Sequence, residues 1–311
     1  MHTLLVTHPA CLDHEMLPGH PESPDRLRAI LRALEGEEFA LLQREEAVSA
    51  TREHLVRAHD PAYVDRLLDL MPGPGDAMVH IDADTSMGPG TNEAALRAAG
   101  AAVQAVDEVM AGRVANAFCA VRPPGHHATP TRAMGFCFFN NAAIAARHAR
   151  AVHGVDRVAV IDFDVHHGNG TQDIFWSDPA LFYASTHQSP AYPGTGAAHE
   201  TGAHRNVLNV PVPPGSGGDM FREAMDAAVL PAVSAFRPGL IVISAGFDAH
   251  ARDPLADLRL TEADFGWATK RIKDLAGKVC ADRIVSTLEG GYDLSALGLS
   301  VAAHVRALME G

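Results

Sequence analysis

Asp162, Asp164 and His166 occupy alternate positions in the segment DFDVHHGNG (162–170). Side chains of an extended chain alternate faces with period two, so these three tend to point one way. Two carboxylates and an imidazole suit a divalent cation, and Asp248 in AGFDAHARDPLA (245–256) offers a further carboxylate. Three ligands of mixed nitrogen and oxygen type with a position left open describe a catalytic zinc site rather than a structural one. A structural zinc wants four ligands, typically with cysteines at CxxC spacing, and Cys11, Cys119, Cys137 and Cys280 lack that spacing. Charge balance limits the ligand list. Asp164, His166 and Asp248 neutralise a dication and leave Asp162 to orient a neighbouring histidine. The plainer reading is a turn whose aspartate caps a helix starting near Asn169, but capping needs one Asp, not two with two histidines.

Four other segments carry polar groups of the same kind. They are RPPGHHA (122–128) with His126 and His127, STHQ (185–188), AGFDAHARDPLA with Asp248, His250 and Asp253, and EGGYD (289–293) with Tyr292. A lone histidine is usually a hydrogen-bonded core residue. Five convergences at one edge of a sheet are not explained that way.

Each segment directly follows a short apolar run. Runs at 3–7, 116–121, 157–162, 181–186, 206–212, 239–245 and 283–288 are rich in Val, Ile, Leu or Phe, as buried strands are. Helical patterns lie between them at 24–36, 51–70, 91–111, 140–153, 218–236, 261–276 and 294–309, with start signals at Thr91 and Thr261. This alternation predicts an α/β domain with a mainly parallel sheet and helices on both faces, spanning residues 1–311 without a linker. In such sheets ligands bind at the carboxyl ends of the strands, where these segments fall.

Composition narrows the function classes. The 311 residues are 47% hydrophobic and 20% charged, which excludes general disorder. A formal charge of −13 argues against a nucleic-acid backbone binder and tolerates cationic partners. Apolar runs stop well short of the ~20 residues a bilayer span needs, so no membrane partner is expected. Cysteines without paired spacing and the absence of a leader segment suggest a reducing compartment, the bacterial cytoplasm. Eighteen histidines against 25 lysines plus arginines point to a site.

The set RPPGHHA, GFCFFNN (135–141), DFDVHHGNG, YPGTG (192–196), AGFD and EGGY, in this order over residues 19–293, resembles the histone deacetylase superfamily. The opening GHPESPDRL (19–27) and Asn169 resemble its class II branch, to which bacterial histone deacetylase-like amidohydrolases are similar. The resemblance implies a single-domain arginase/deacetylase-like α/β fold with an eight-stranded, mainly parallel sheet. It implies Zn²⁺, with Fe²⁺ as a substitute, on Asp164, His166 and Asp248. His126 and His127 become the tandem pair that takes a proton from water and returns one to the leaving amine. Asp162 orients His126 and the neutral Asn169 meets His127, so His127 is expected to have the lower pKa. Tyr292 becomes the oxyanion donor, on a loop freed by Gly290 and Gly291. Gly135, Phe136 and Tyr192 line a tunnel, with Tyr192 where phenylalanine is commoner, and Leu255 sits at its gatekeeper position. His20 and Glu22 match a mouth loop, and Arg26 matches a residue associated with an acetate-release channel. Asp162, Asp164, His166, Ser185 and Thr186 match a K⁺ site built mainly from backbone carbonyls.

The expected activity is removal of acetyl or other short acyl groups from lysine side chains of a protein or peptide. The nearest alternative is an acetylpolyamine amidohydrolase acting on a small acetylated amine, disfavoured because Leu255 cannot pair with an ammonium. A binuclear Mn²⁺ amidinohydrolase would need a carboxylate where His250 stands, and a non-catalytic acyl-ligand binder would have lost a ligand or the tyrosine. The sequence is silent on oligomeric state.

Overall fold

Runs of β-branched residues make the central strands. Val158-Ala-Val-Ile-Asp162 and Leu240-Ile-Val-Ile-Ser-Ala245 are buried at every position, as strands covered on both faces must be. The computed structural model describes residues 2–310.

The chain starts with β1 (Thr3–Thr7), α1 (Pro24–Ala33), β2 (Gln43–Glu46), α2 (Arg52–Leu55) and α3 (Pro61–Leu70). A two-stranded ribbon, β3 (Val79–His80) and β4 (Ser86–Met87), precedes α4 (Thr91–Met110) and β5 (Asn116–Cys119). Then come α5 (Asn141–His153), β6 (Val158–Asp162), α6 (Asn169–Phe175), β7 (Leu181–Gln188) and β8 (Val207–Val212). The chain closes with α7 (Gly218–Ala224), α8 (Leu230–Phe236), β9 (Leu240–Ala245), α9 (Glu262–Val279), β10 (Ile284–Leu288) and α10 (Leu294–Met309).

Eight strands form one sheet in the order β2-β1-β5-β10-β9-β6-β7-β8, and every adjacent pair is parallel. Parallel strands need crossovers, and these put α1, α10 and α9 in one layer and α4, α5 and α6 in the other. The five strands whose ends were expected to carry chemistry, β5, β10, β9, β6 and β7, are contiguous in the sheet. Their carboxyl ends therefore open onto one crevice.

All seven expected strands form, and the eighth is the one that periodicity missed. β2 reads Gln-Arg-Glu-Glu and is largely exposed, because an edge strand is held by backbone pairing to β1 rather than by apolar burial. The 51–70 pattern is two helices, split where Asp60 accepts the N–H groups of Ala62 and Tyr63 and Pro61 opens α3. The 218–236 pattern is continuous but widens to π geometry over Met225–Val229, just before Pro231, whose ring and missing N–H disrupt regular α bonding. Thr261 starts α9 as expected, its N–H and hydroxyl both donating to Asp264 (2.8 and 2.9 Å). Thr91 is the first residue of α4, one place after its N-cap, Gly90.

Candidate active site

β6 ends at Asp162, and the loop after it carries Asp164 and His166 toward Asp248 beyond β9. His166 Nδ1 lies 3.1 Å from Asp164 Oδ1 and 3.1 Å from Asp248 Oδ2. The ligand atoms of the three residues fall within 4.8 Å of one another, with both carboxylates buried. Backbone N–H groups pin those carboxylates: Gly290 donates to Asp164 Oδ2 (2.7 Å) and Val165 to Asp248 Oδ1 (2.9 Å). The approach admits no side chain. A Cβ on Gly246 would stand 2.0 Å from Asp164 Oδ2, and one on Gly290 2.0 Å from Asp248 Oδ2.

Burial works against ionising Asp164, yet the imidazoles of His126 and His166 hold its carboxyl well below the usual range. Burial and the Asp164 charge push Asp248 up. Burial disfavours a His166 cation, but the two carboxylates bonded to the ring hold it well above an ordinary imidazole. The cluster draws positive charge to one point, and its one nitrogen and two carboxylate oxygens fit a borderline dication such as Zn²⁺ or Fe²⁺.

The tandem histidines lie beside it, both buried, with ring centroids 4.1 Å apart. His126 Nδ1 is 3.0 Å from Asp162 Oδ2, and His127 Nδ1 donates to Asn169 Oδ1 at 2.8 Å. Burial alone would lower both imidazoles. The carboxylates of Asp164 and Asp162 instead carry His126 up to about 10, while burial together with His126 and His166 leaves His127 well below its ordinary value. The order is the one expected from one charged and one neutral partner.

Two residues here had no assigned part. The Tyr183 hydroxyl, inside β7, donates to Asp162 Oδ2 (3.0 Å) and accepts the N–H of Gly168 (2.9 Å). Glu289, the residue after β10, accepts the N–H groups of Gly125 and His126 (2.7 and 3.1 Å), and burial pushes its carboxyl up to about 7. It fixes the loop that carries His126.

A cavity of about 220 Å³ ends on His126, His127 and His166. Phe136, Tyr192, Tyr292 and Leu255 wall it, with Gly135 and Gly290 against it. Phe136 and Tyr292 meet edge to face at 6.0 Å, and Tyr192 meets His127 at 5.0 Å. Gly135 and Phe136 both hold positive φ (56° and 68°), and Thr85 fixes the turn by accepting the Phe136 N–H at 3.1 Å. The β3–β4 ribbon brings Thr85 there, together with Asp84, a carboxylate in the cavity wall that sequence reasoning missed. Burial keeps the Tyr292 phenol protonated well above its ordinary range, and its N–H donates to Asp253 at 2.8 Å.

His20 reaches the rim, its ring edge-on to Phe136 at 4.7 Å and its Nε2 donating to the Asp84 carbonyl. Glu22 does not reach it. Fully buried beneath the site, Glu22 binds Arg122 through both oxygens and also takes Arg26 and His14. Arg26 is equally buried. It donates to the carbonyls of Gly291 and Glu289 and lies 4.8 Å from the Tyr292 ring centre, supporting the tyrosine loop from below.

Ser185 pairs in register with Asp162 and bonds His187, and the buried Thr186 hydroxyl has no protein partner. His167 and His187 tie the Tyr192 loop down, through the Thr195 hydroxyl (2.7 Å) and the Gly196 carbonyl (2.9 Å). His250 stands apart from the metal ligands. Its Nδ1 accepts the Arg252 N–H (3.1 Å) and its Nε2 faces Glu262 at 3.4 Å, an arrangement that offers nothing to a second ion beside Asp248.

Comparison with known proteins points the same way. A family model described as the histone deacetylase domain matches residues 20–308. The histone deacetylase-like amidohydrolase of Pseudomonas aeruginosa is 43% identical over 279 residues, covering 88% of this chain and 73% of that protein. Histone deacetylase 14, chloroplastic, of Arabidopsis thaliana is 41% identical over 324 residues, covering 98% and 76%. The crystal structure of the HDA15 HD domain superposes with a TM-score of 0.91 at 36% identity, covering 99% of this chain and 88% of the other.

Proposed function

The chain belongs to the histone deacetylase domain family and is an amide-bond hydrolase, and from that premise we propose that it is a zinc-dependent deacylase of acyl-lysine side chains. The observation that carries this reading is the narrow cavity walled by Phe136, Tyr192 and Tyr292 that ends on the Asp164–His166–Asp248 cluster. Apolar walls suit a lysine stem, whose four methylenes must be desolvated while acylation masks the charge.

Asp164, His166 and Asp248 would hold a divalent ion, which would supply Lewis acidity for the amide carbonyl and lower the pKa of water toward ~7. His127, neutral and fixed through Nδ1 by Asn169, presents Nε2 to take a proton from the attacking water. His126, held as a cation by Asp162, stabilises the negative charge that develops and completes the pair that protonates the leaving amine. The Tyr292 hydroxyl donates to the tetrahedral oxyanion. A K⁺ beside Ser185 and Thr186 is supported by the unpartnered Thr186 hydroxyl.

We treat residues 1–311 as one catalytic domain. The four buried thiols, each pushed up by burial and none in a disulfide, accord with a reducing compartment such as a bacterial cytoplasm. Among the described residues no helix is long and apolar enough to cross a membrane.

One observation favours a second reading, an acetylpolyamine substrate. The Asp84 carboxylate in the cavity wall could pair with a distal ammonium, which Leu255 cannot do. A panel of acetyl-lysine peptides, trifluoroacetyl-lysine and acetylputrescine separates the two, run with the native protein and Tyr292→Phe. Acyl-lysine preference, a loss of ~10²-fold or more in Tyr292→Phe and abolition by a hydroxamate chelator are expected. Preference for acetylputrescine would overturn the first reading, and an unchanged Tyr292→Phe rate would remove Tyr292 from the chemistry.

A further inference from the structure

A second set of ligating side chains converges far from the active site. Asp107 on α4 and His148 and His153 on α5 bring their donor atoms within 4.8 Å of one another. Nε2 of His148 lies 2.7 Å, and Nε2 of His153 2.6 Å, from the same oxygen, Asp107 Oδ1. His148 is buried, while Asp107 and His153 are half-buried. The place is the opposite edge of the sheet from the chemistry, since His153 precedes the amino end of β6 and the catalytic residues follow its carboxyl end.

A carboxylate has two oxygens and about four lone-pair directions, so two hydrogen-bonding imidazoles would ordinarily spread over it. Here both nitrogens converge on one oxygen from two positions on α5. We propose that Asp107, His148 and His153 form a second divalent transition-metal site, which clamps α4 to α5 and is gated by Arg57. Two imidazoles and a carboxylate are a borderline-metal donor set that suits Zn²⁺, with water completing the tetrahedron on the half-exposed side. Zn–N and Zn–O bonds near 2.0–2.2 Å hold donors roughly 3.3 Å apart, so each imidazole draws back from Asp107 Oδ1 by under ~1 Å to admit the ion.

The gate follows from hydrogen-bond polarity. An imidazole that ligates through Nε2 carries its proton on Nδ1 and needs an acceptor there. The Arg57 guanidinium, a pure donor, contacts His148 Nδ1 and also pairs with Glu53 at 3.0 Å. Arg57 on His148 therefore opposes the metal, and Arg57 drawn wholly to Glu53 frees the site. A glutamine at position 57 would offer the amide oxygen that Nδ1–H requires.

The test titrates Zn²⁺, against a chromogenic chelator, into hydrolytically active protein already holding one equivalent. His153→Ala and Arg57→Gln are run alongside, with thermal midpoints recorded. The expected result is a second, micromolar equivalent that raises the midpoint. His153→Ala should weaken it at least tenfold while keeping the first equivalent and the hydrolytic rate, and Arg57→Gln should tighten it at least threefold. Asp248→Ala, which removes a ligand of the active-site cluster, should still take up one equivalent here, so the outcome does not depend on the function proposed above. Absence of a second equivalent in the native protein, or its retention in His153→Ala, overturns the site. An Arg57→Gln variant that binds no more tightly overturns the gate.

Discussion

The Tyr183 hydroxyl donates at 3.0 Å to Oδ2 of Asp162, the same oxygen that faces His126 Nδ1. A phenol buried inside β7 thus fixes the carboxylate that fixes the histidine, and its oxygen also receives the Gly168 N–H. Tyr183→Phe removes one donor from Asp162 and strands that N–H, which costs about 1–3 kcal/mol of stability. With His126 less firmly oriented, kcat should fall about tenfold with KM unchanged. A variant that loses stability in denaturant titration yet keeps its kcat would confine Tyr183 to a structural part.

Gly290 has no room for a methyl group. Its Cβ would fall 2.0 Å from Asp248 Oδ2 and 2.6 Å from Asp164 Oδ2, the two carboxylates among the three proposed ligands. Gly290→Ala must therefore push one of them aside. Metal affinity should weaken about 10–100-fold, read as metal retained per chain after dialysis against a weak chelator. Activity should return in part at raised metal concentration. A variant with native metal content would show that the loop yields rather than the carboxylates.

The residues that face the crevice were legible because they directly follow apolar runs, and a parallel sheet places all such positions on one edge. Asp164, His166, Asp248, His126 and Tyr292 were found this way, and their gathering at one crevice follows from β5, β10, β9, β6 and β7 being neighbours. What escaped depends on which strand lies beside which. Tyr183 reads as a core aromatic within LFYAS, and only the β6–β7 register puts its hydroxyl on Asp162. Glu289 stands in EGGYD, but its bonds to Gly125 and His126 cross from β10 to the loop after β5. Glu22 and Arg26 are placed by resemblance alone, at a mouth loop and an acetate channel, whereas the ion pairs of Glu22 with Arg26 and Arg122 let both be buried. Asp84 depends on a ribbon of two-residue strands, too short for any periodic signal.

Leu255 is 42% exposed and lines the cavity, and an acidic residue there is proposed to meet a polyamine ammonium. Leu255→Glu adds a partly solvated charge, and such a pair is worth about 0.2–1 kcal/mol. The ratio of kcat/KM for acetylputrescine over an acetyl-lysine peptide should rise about 1.4- to fivefold, and the gain should shrink in high salt. A ratio that stays level would place the substrate ammonium out of reach of this side chain and leave Asp84 as the acidic contact.

Several of the eighteen histidines are explained by burial, and His59 gives the cleanest consequence. Its Nδ1 donates to the Thr129 carbonyl (2.9 Å) and its Nε2 accepts the N–H of Asn140 (2.9 Å), the residue that caps α5. Both ring nitrogens are engaged only in the neutral form, and burial lowers the imidazole to about 4. The unfolded chain, with an ordinary value near 6.5, binds the proton more readily. The contribution of His59 to stability is therefore complete above about pH 6.5 and is lost as pH falls toward about 4. Between pH 7 and pH 5 the loss from this one residue is about 2 kcal/mol. Glutamine can mimic both contacts without titrating, so His59→Gln should lower stability at pH 7 yet flatten the fall to pH 5 by about that amount, as read from urea midpoints. Parallel curves for the native protein and the variant would mean that His59 titrates as an exposed histidine does, and that acid sensitivity arises at other histidines.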